Sequence, residues 1–163
     1  MKKIILIICA GIPVVIIISY FLISTTKILQ CQTSVNATRA AVARKMLYKD
    51  QWQRWWPGQK LNDTTYRYQD YYYVVNKILL NGAQITIVNQ NNSVKGFLKF
   101  EDYGLDSTQF TWASNCLYSS NPIKRFSEYF RLIKLKKNVK GFLKGVNRYF
   151  DNQENVYGMK IGL

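Results

Sequence analysis

The residue types that carry most enzymatic chemistry are sparse in this sequence. It contains no histidine, which removes the commonest general base and the commonest metal ligand. Its nine acidic residues are scattered. Glu101 ends a predicted strand, and Asp63 and Asp70 fall in predicted turns, so turn and capping roles explain these residues better than a paired acid and base. With no phosphate-binding glycine loop or nucleophile elbow in the sequence, we predict no catalytic residues, no metal site, no cofactor and no enzymatic activity.

The three cysteines, Cys9, Cys31 and Cys116, lack the paired spacing of a metal site. The simplest interpretation is that they are small buried hydrophobic side chains. A disulfide between Cys31 and Cys116 is the alternative if the domain faces an oxidising space, because both cysteines fall in predicted strands.

Positive charge is the strongest compositional feature, with 23 lysine and arginine residues and a net charge of +14. Much of it lies between Ile123 and Phe150, where Glu128 is the only acidic residue. Such a run has three interpretations: a solvated face, a face that binds an anionic membrane or an acidic partner, or a nucleic-acid-binding surface. Nucleic-acid binding is the least favoured, because no recognised motif accompanies the charge. The predicted face for a membrane or acidic partner comprises Lys134, Lys136, Lys137, Lys140 and Lys144.

Residues 4–23 form an uncharged, largely aliphatic segment. Twenty residues of helix span about 30 Å, the thickness of a bilayer core, so residues 1–26 are predicted to be a single-pass transmembrane anchor. The rival interpretation is a cleaved signal peptide. Lys2 and Lys3 slightly favour an N-terminus inside and a domain outside, but Lys27, Arg39 and Arg44 oppose this orientation.

The elements after the anchor predict an α+β domain. A strand over residues 27–35 precedes helices over 38–48 and 50–56, which Pro57-Gly58 ends. A meander of strands follows over 64–68, 71–80, 84–88, a segment from Val94 to Glu101, and 108–118, with Asn81-Gly82 as a hairpin turn. Asn121-Pro122 starts a long helix whose apolar stripe is Phe126, Phe130, Ile133, Phe142, Val146 and Phe150.

This order, with certain residues, resembles the START-like or SRPBCC superfamily, which includes polyketide cyclase-like proteins and lipid carriers. The segment from Val35 to Thr38 and the segment from Trp52 to Gly58 resemble the entry region of that family. Asn121-Pro122 and the helix through Asn138 are similar to a membrane-anchored subgroup. In that subgroup a gyrase-inhibitory-protein-like effector-binding domain often follows, and residues 153–163 resemble its beginning, without the rest.

The resemblance implies a helix-grip domain over residues 27–152, in which a curved antiparallel sheet, two short helices and a long C-terminal helix enclose a cavity. The expected function is non-catalytic binding of a hydrophobic small molecule or lipid. The expected ligand-binding residues are Trp56, Tyr66, Tyr68, Tyr73, Phe97, Phe110, Trp112, Ser114, Phe126 and Phe130. The alternative is an interaction protein whose aromatic residues fill the core and whose basic helix docks on a membrane or an acidic partner.

Overall fold

The computed structural model describes residues 11, 13–14, 26–90 and 92–158, with side chains up to residue 152. The described chain from Thr26 onward is an α+β domain with one sheet and three helices. The strands are β1 (Thr26–Val35), β2 (Gln59–Lys60), β3 (Thr65–Tyr68), β4 (Tyr71–Leu79), β5 (Gly82–Asn89), β6 (Asn92–Asp102) and β7 (Thr108–Leu117). The helices are α1 (Arg39–Leu47), α2 (Lys49–Trp55) and α3 (Pro122–Gly158). The predicted α+β class and element order are confirmed, and the two-residue strand β2 was not predicted.

The seven strands form a curved antiparallel sheet in the order β1-β7-β6-β5-β4-β3-β2. From β2 to β7, strands that are consecutive in the chain are also neighbours in the sheet, whereas β1 pairs with the last strand, β7. Alternation along β7 sends Phe110, Trp112 and Ser114 to a buried inner face and intervening residues to an outer face. The inner face therefore holds the core, and the helices cover it.

The two short helices begin where local chemistry favours them. The side chain of Thr38 accepts a hydrogen bond from the Ala41 backbone N–H at 3.4 Å, so Thr38 is the N-cap of α1. The indole Nε1 of Trp52 donates to the backbone oxygen of Met46 at 2.7 Å, which fixes α2 against α1. This pairing brings Trp52, Trp55 and Trp56 to the inner face of the sheet, where all three are buried.

Helix α3 crosses the inner face and extends beyond the sheet. Lys27, near the start of β1, lies 5.0 Å from the Tyr129 ring centroid, and Phe110 on β7 lies 5.7 Å from the Phe150 centroid. The helix between these contacts covers about 32 Å, which matches a ten-residue strand. Because α3 has 37 residues, both of its ends project past the sheet. The helix also continues through residue 158, beyond the predicted domain end at 152.

The orientation of α3 on the sheet corrects the predicted apolar stripe. Phe142, Val146 and Phe150 are buried as expected. Phe126, Phe130 and Ile133 are 43%, 49% and 47% exposed, because this part of the helix turns them away from the sheet. Its inward positions are instead filled by Leu132, Leu135 and Val139, which are at most 9% exposed.

The strand register also decides between the two interpretations of the cysteines. Cys31 and Cys116 are buried and free. In the β1–β7 pair, Cys31 opposes Trp112 while Cys116 opposes Lys27. The two cysteines are therefore four positions apart along the strands, about 13 Å, whereas a disulfide needs Cα atoms within about 7 Å. They are buried hydrophobic side chains, and burial raises the pKa of both thiols.

The predicted single-pass membrane location is corrected by the described part of the chain. No helix among the described residues is both long enough and apolar enough to cross a bilayer. Helix α3 has the length but carries lysine and arginine along it, and each such charge at a bilayer centre costs about 2.5–3.5 kcal/mol. Most of the predicted anchor, residues 1–10, 12 and 15–25, lies outside the described residues.

Candidate functional site

Five aromatic side chains pack together between the sheet and α3, and we call them the inner aromatic cluster: Trp52, Trp56, Tyr66, Tyr73 and Phe142. Each is at most 5% exposed. The Trp56 ring centroid lies 4.8 Å from that of Tyr66 and 4.7 Å from that of Phe142, and Tyr73 lies 5.2 Å from Phe142. Three of the predicted ligand-binding residues, Trp56, Tyr66 and Tyr73, are thus brought together. These separations are those of rings in contact.

Each layer of the fold supplies part of this cluster. Tyr66 on β3 and Tyr73 on β4 are directly opposed in the strand register, so their side chains leave the same face side by side. Trp52 comes from α2, and Trp56 is the C-terminal cap of that helix, at the start of the connection to β2. Phe142 comes from α3 and closes the cluster from the other side.

Four more predicted residues lie on the inner face around this cluster. Tyr68 is half-buried, with its ring centroid 6.2 Å from that of Phe142. Trp112 lies 6.3 Å from Tyr73, and its Nε1 donates to Ser114 Oγ at 3.4 Å. Phe110 belongs to a separate group with Phe100 and Phe150.

The structure does not bring the remaining predicted residues to the cluster. Phe97 alternates with buried Leu98 along β6 and therefore points to the outer face, where it borders an open groove of about 490 Å³. Phe126 and Phe130 lie on the face of α3 turned away from the sheet, with their ring centroids 4.8 Å apart.

A buried polar network lies beside the cluster, and it was not predicted from the sequence. The Tyr73 hydroxyl donates to Asn138 Oδ1 at 2.6 Å, and Asn138 Nδ2 donates to Gln69 Oε1 at 2.9 Å and to the Tyr68 backbone oxygen at 3.4 Å. Asn138 is only 3% exposed. A polar residue between Leu135 and Phe142 on the inward side of an amphipathic helix was the signal that could have revealed it.

Three buried polar atoms have no hydrogen-bond partner within the described part of the chain: Trp56 Nε1, the Tyr66 hydroxyl and the Tyr118 hydroxyl. Two of them belong to adjacent rings of the inner aromatic cluster. A buried polar group without a partner costs about 1–3 kcal/mol, so native proteins pair nearly all such groups with protein, water or ligand. Trp56 offers a donor, and Tyr66 offers a hydroxyl that either donates or accepts.

The buried tyrosines stay protonated over the physiological range. Burial is the largest cause that raises the pKa of Tyr66, and the charge of Asp63 adds to it. Burial likewise raises the pKa of Tyr73 well above its usual range and raises the pKa of Tyr118 to about 12. These hydroxyls therefore act as neutral hydrogen-bonding groups and not as bases.

Charged side chains lie outside the inner aromatic cluster. Asp70, Glu101 and Asp102 are exposed, and the Asp63 side chain is 94% exposed. No group of three acidic or cysteine side chains that would hold a metal occurs among the residues described. The five lysines of the predicted membrane or acidic-partner face, Lys134, Lys136, Lys137, Lys140 and Lys144, are all exposed on α3.

Comparisons with known proteins address the fold. No family model matches the sequence, and the search of curated proteins found no significant match. Among solved structures, the chain is similar to CalU16 from Micromonospora echinospora, with 11% identity, coverage of 83% of both chains and a TM-score of 0.52. It is also similar to XoxI from Bacillus cereus, with 9% identity, coverage of 80% of this chain and 99% of that chain, and a TM-score of 0.49. The likeness to CalU16, together with the seven-stranded sheet gripping α3, gives this chain the helix-grip fold expected of the START-like superfamily.

Proposed function

We propose that this chain is a non-catalytic binding module that takes an apolar or amphipathic small molecule between the sheet and α3. The observation that carries the proposal is the pair of unpartnered polar atoms, Trp56 Nε1 and the Tyr66 hydroxyl, inside an aromatic cluster. A ligand with an apolar body and one or two oxygen atoms supplies the hydrogen-bond partners that these two polar groups lack. The rings bury its body, and the two polar groups orient it.

Binding at this place requires movement, because the rings of the cluster are in contact. Trp56 caps α2 and leads into the Pro57-Gly58 connection, whereas Tyr66 and Tyr73 are fixed in paired strands. The connection from Trp56 to Gly58 is therefore the part that shifts outward to admit the ligand. Segments that are not paired in a sheet open locally at a lower free-energy cost than paired strands do.

The absence of catalysis is part of this proposal. The acidic residues at the strand ends and turns, Asp63, Asp70, Glu101 and Asp102, are exposed and lie outside the cluster. The buried tyrosines have raised pKa values, so they are poor general bases at neutral pH. A bound molecule meets hydrogen-bonding groups and aromatic rings, without a proton acceptor suited to turnover.

The test compares Tyr66→Phe with the wild-type chain. This change removes only the unpartnered hydroxyl, so the ligand-free protein should unfold at equal or higher urea concentration, because a buried unpaired group has been removed. Affinity for the ligand should fall about tenfold, the loss expected for one hydrogen bond of about 1.4 kcal/mol. The control is Tyr72→Phe, on the outer face and 39% exposed, which should alter neither quantity.

The ligand is sought by native mass spectrometry of the full chain, purified without detergent and then exposed to fatty acids, sterols and aromatic polyketides. Binding is followed by tryptophan fluorescence, since all four tryptophans lie in or beside the cluster. A chain that binds none of these compounds, or a Tyr66→Phe variant that binds as well as the wild type, would contradict the proposal.

A further inference from the structure

The face of α3 turned away from the sheet carries, near the start of the helix, an exposed apolar seam made of Ile123, Phe126, Phe130 and Ile133. These side chains are 67%, 43%, 49% and 47% exposed, respectively. Their spacing of three, four and three residues is that of the a and d positions of a coiled coil. At 100° per residue, the four positions fall within about 80° of arc, and they extend about 15 Å along the helix. The seam is therefore narrow and straight.

Basic residues flank the seam. In the heptad that places Ile123 and Phe130 at a, the flanking e and g positions are Ser127 and Lys134, and Tyr129 and Lys136. Lys137 and Lys140 continue the a and d line beyond Ile133. None of the three ion pairs between described residues involves these lysines. Glu128, the acidic residue of this region, accepts a hydrogen bond from the Ser119 backbone N–H at 2.7 Å, away from the seam.

From this geometry we propose that the seam binds an acidic amphipathic helix of a partner protein. The apolar a and d residues of that helix pack on Phe126 and Phe130, and its glutamate or aspartate side chains at e and g pair with Lys134 and Lys136. The partner helix is about three turns long. This interface lies on the opposite side of α3 from the inner aromatic cluster, so it does not depend on the small-molecule site.

The charge and the narrow width of the seam argue against two other occupants, a second copy of this chain and a lipid surface. A second copy of this chain would place Lys134 and Lys136 against the same lysines, and like charges across a seam are repulsive. A helix that lies in a lipid surface presents a broad apolar face, whereas here Lys137 lies within the arc of the seam and Lys134 lies at its edge. An acidic helix satisfies both the apolar spacing and the flanking charges.

The probe is a fluorescent synthetic peptide of three heptads, with leucine at a and d and glutamate at e and g. Binding to the full chain is measured by fluorescence anisotropy at low and high salt. The wild-type chain should bind the peptide, and salt should weaken binding because the flanking pairs are exposed. A matched peptide with lysine at e and g should bind at least about tenfold more weakly.

The decisive variant is Phe126→Ser with Phe130→Ser, which should weaken binding at least about tenfold because the centre of the seam is lost. Both side chains are already half-exposed, so the fold should be retained, and circular dichroism checks this. Lys134→Glu with Lys136→Glu should weaken binding of the acidic peptide and improve binding of the lysine peptide. The matched control is Leu105→Ser, a leucine that is 98% exposed in the loop between β6 and β7, and it should bind within about twofold of the wild type.

Three results would overturn this inference: no binding of the acidic peptide, equal binding by the double serine variant, or self-association of the chain that the double serine variant abolishes. A lipid occupant is tested with Phe130→Trp and brominated anionic vesicles. The four native tryptophans are at most 5% exposed, so quenching reports the new residue. Quenching at this position that the acidic peptide does not relieve would also overturn the inference. Ligand uptake by the inner cluster should be unchanged in the double serine variant, which separates this test from that of the proposed function.

Discussion

Tyr73 is held at three points, and each has a different physical basis. Its ring packs against Phe142, its backbone pairs with Tyr66 across two strands, and its hydroxyl donates to Asn138 at 2.6 Å. The sequence indicated that Tyr73 faces the core, because alternation along a strand is a local property. It did not indicate the partner of the hydroxyl, since Asn138 lies 65 residues away in the chain. Side-chain pairings of this kind depend on how the helix crosses the sheet.

Replacement of Tyr73 by phenylalanine should destabilise the protein by about 1–3 kcal/mol, because Asn138 Oδ1 loses a buried donor. The measurement is urea unfolding followed by circular dichroism. Tyr72→Phe, the neighbour on the outer face, is the matched control and should unfold like the wild type. A Tyr73→Phe variant as stable as this control would mean that water replaces the hydroxyl at no cost.

Tyr118 should make stability depend on pH in the alkaline range. Burial is the main reason why the pKa of Tyr118 is raised from 10.0 to about 12 in the folded protein. Below about pH 10 both states keep the proton, and the stabilising contribution is complete. As pH rises from about 10 to about 12, the unfolded state loses its proton first, so the free energy of unfolding falls. Tyr118→Phe should make this decline shallower in urea unfolding at stepwise increasing pH, and an unchanged slope would contradict the assignment.

Helix α3 shows what an element's pattern does and does not predict. Asn121-Pro122 correctly marked its start, and Asn121 Oδ1 accepts hydrogen bonds from the backbone N–H groups of Ile123 and Lys124. The helix was correctly predicted, but the predicted apolar stripe combined residues from two different faces of it. Phe142 packs in the core, whereas Phe126 lies on the exposed seam. At 100° per residue, Phe126 and Phe142 lie about 160° apart around the helix, so a helical projection of the sequence separates the two faces.

The close approach of α3 to the α2–β2 connection should make Gly145 intolerant of a side chain. A Cβ at Gly145 would lie 2.3 Å from Pro57 Cβ, and the proline ring cannot rotate away. We expect Gly145→Ala to destabilise the protein by about 1–3 kcal/mol, even though alanine favours helix by about 1 kcal/mol.

Gly141→Ala on the same helix is the matched control. A Cβ there would lie 2.9 Å from the Tyr68 hydroxyl, the far end of a half-buried side chain that has room to move. Thermal unfolding measures both variants, and Gly141→Ala should unfold at nearly the same temperature as the wild type. Equal stability of the two variants would show that α3 shifts freely against the connection.

At the scale of the whole molecule, the meander from β3 to β7 could be predicted from the sequence, whereas the pairing of β1 with β7 could not. Turn residues such as Asn81-Gly82 place each strand beside the next, so local signals suffice. The pairing of β1 with β7 joins segments about 80 residues apart and has no local signal. The site also depends on contacts between distant segments, because the inner aromatic cluster draws on α2, the strands β3 and β4, and α3.

The β1–β7 register can be tested with a new disulfide. Lys27 and Cys116 are direct partners on the inner side of the pair, so Lys27→Cys should form a disulfide with Cys116 on mild oxidation. Closing so long a loop should stabilise the protein by about 2–4 kcal/mol. Thr33→Cys lies six positions further along β1, about 20 Å away, and should remain unlinked. Non-reducing gel electrophoresis and urea unfolding provide the measurements, and linkage at position 33 would refute the register.

The pairing of the first strand with the last also governs how the protein is made. On the ribosome, β1 emerges long before β7, and α1 and α2 cover only part of the inner face of the sheet until α3 follows. Until α3 has been synthesised, the nascent chain therefore exposes inner-face side chains of the strands that this helix shields in the folded domain. Folding of this domain should therefore be completed only after α3 has left the ribosome, and chaperones that hold aromatic segments should be most needed before that point.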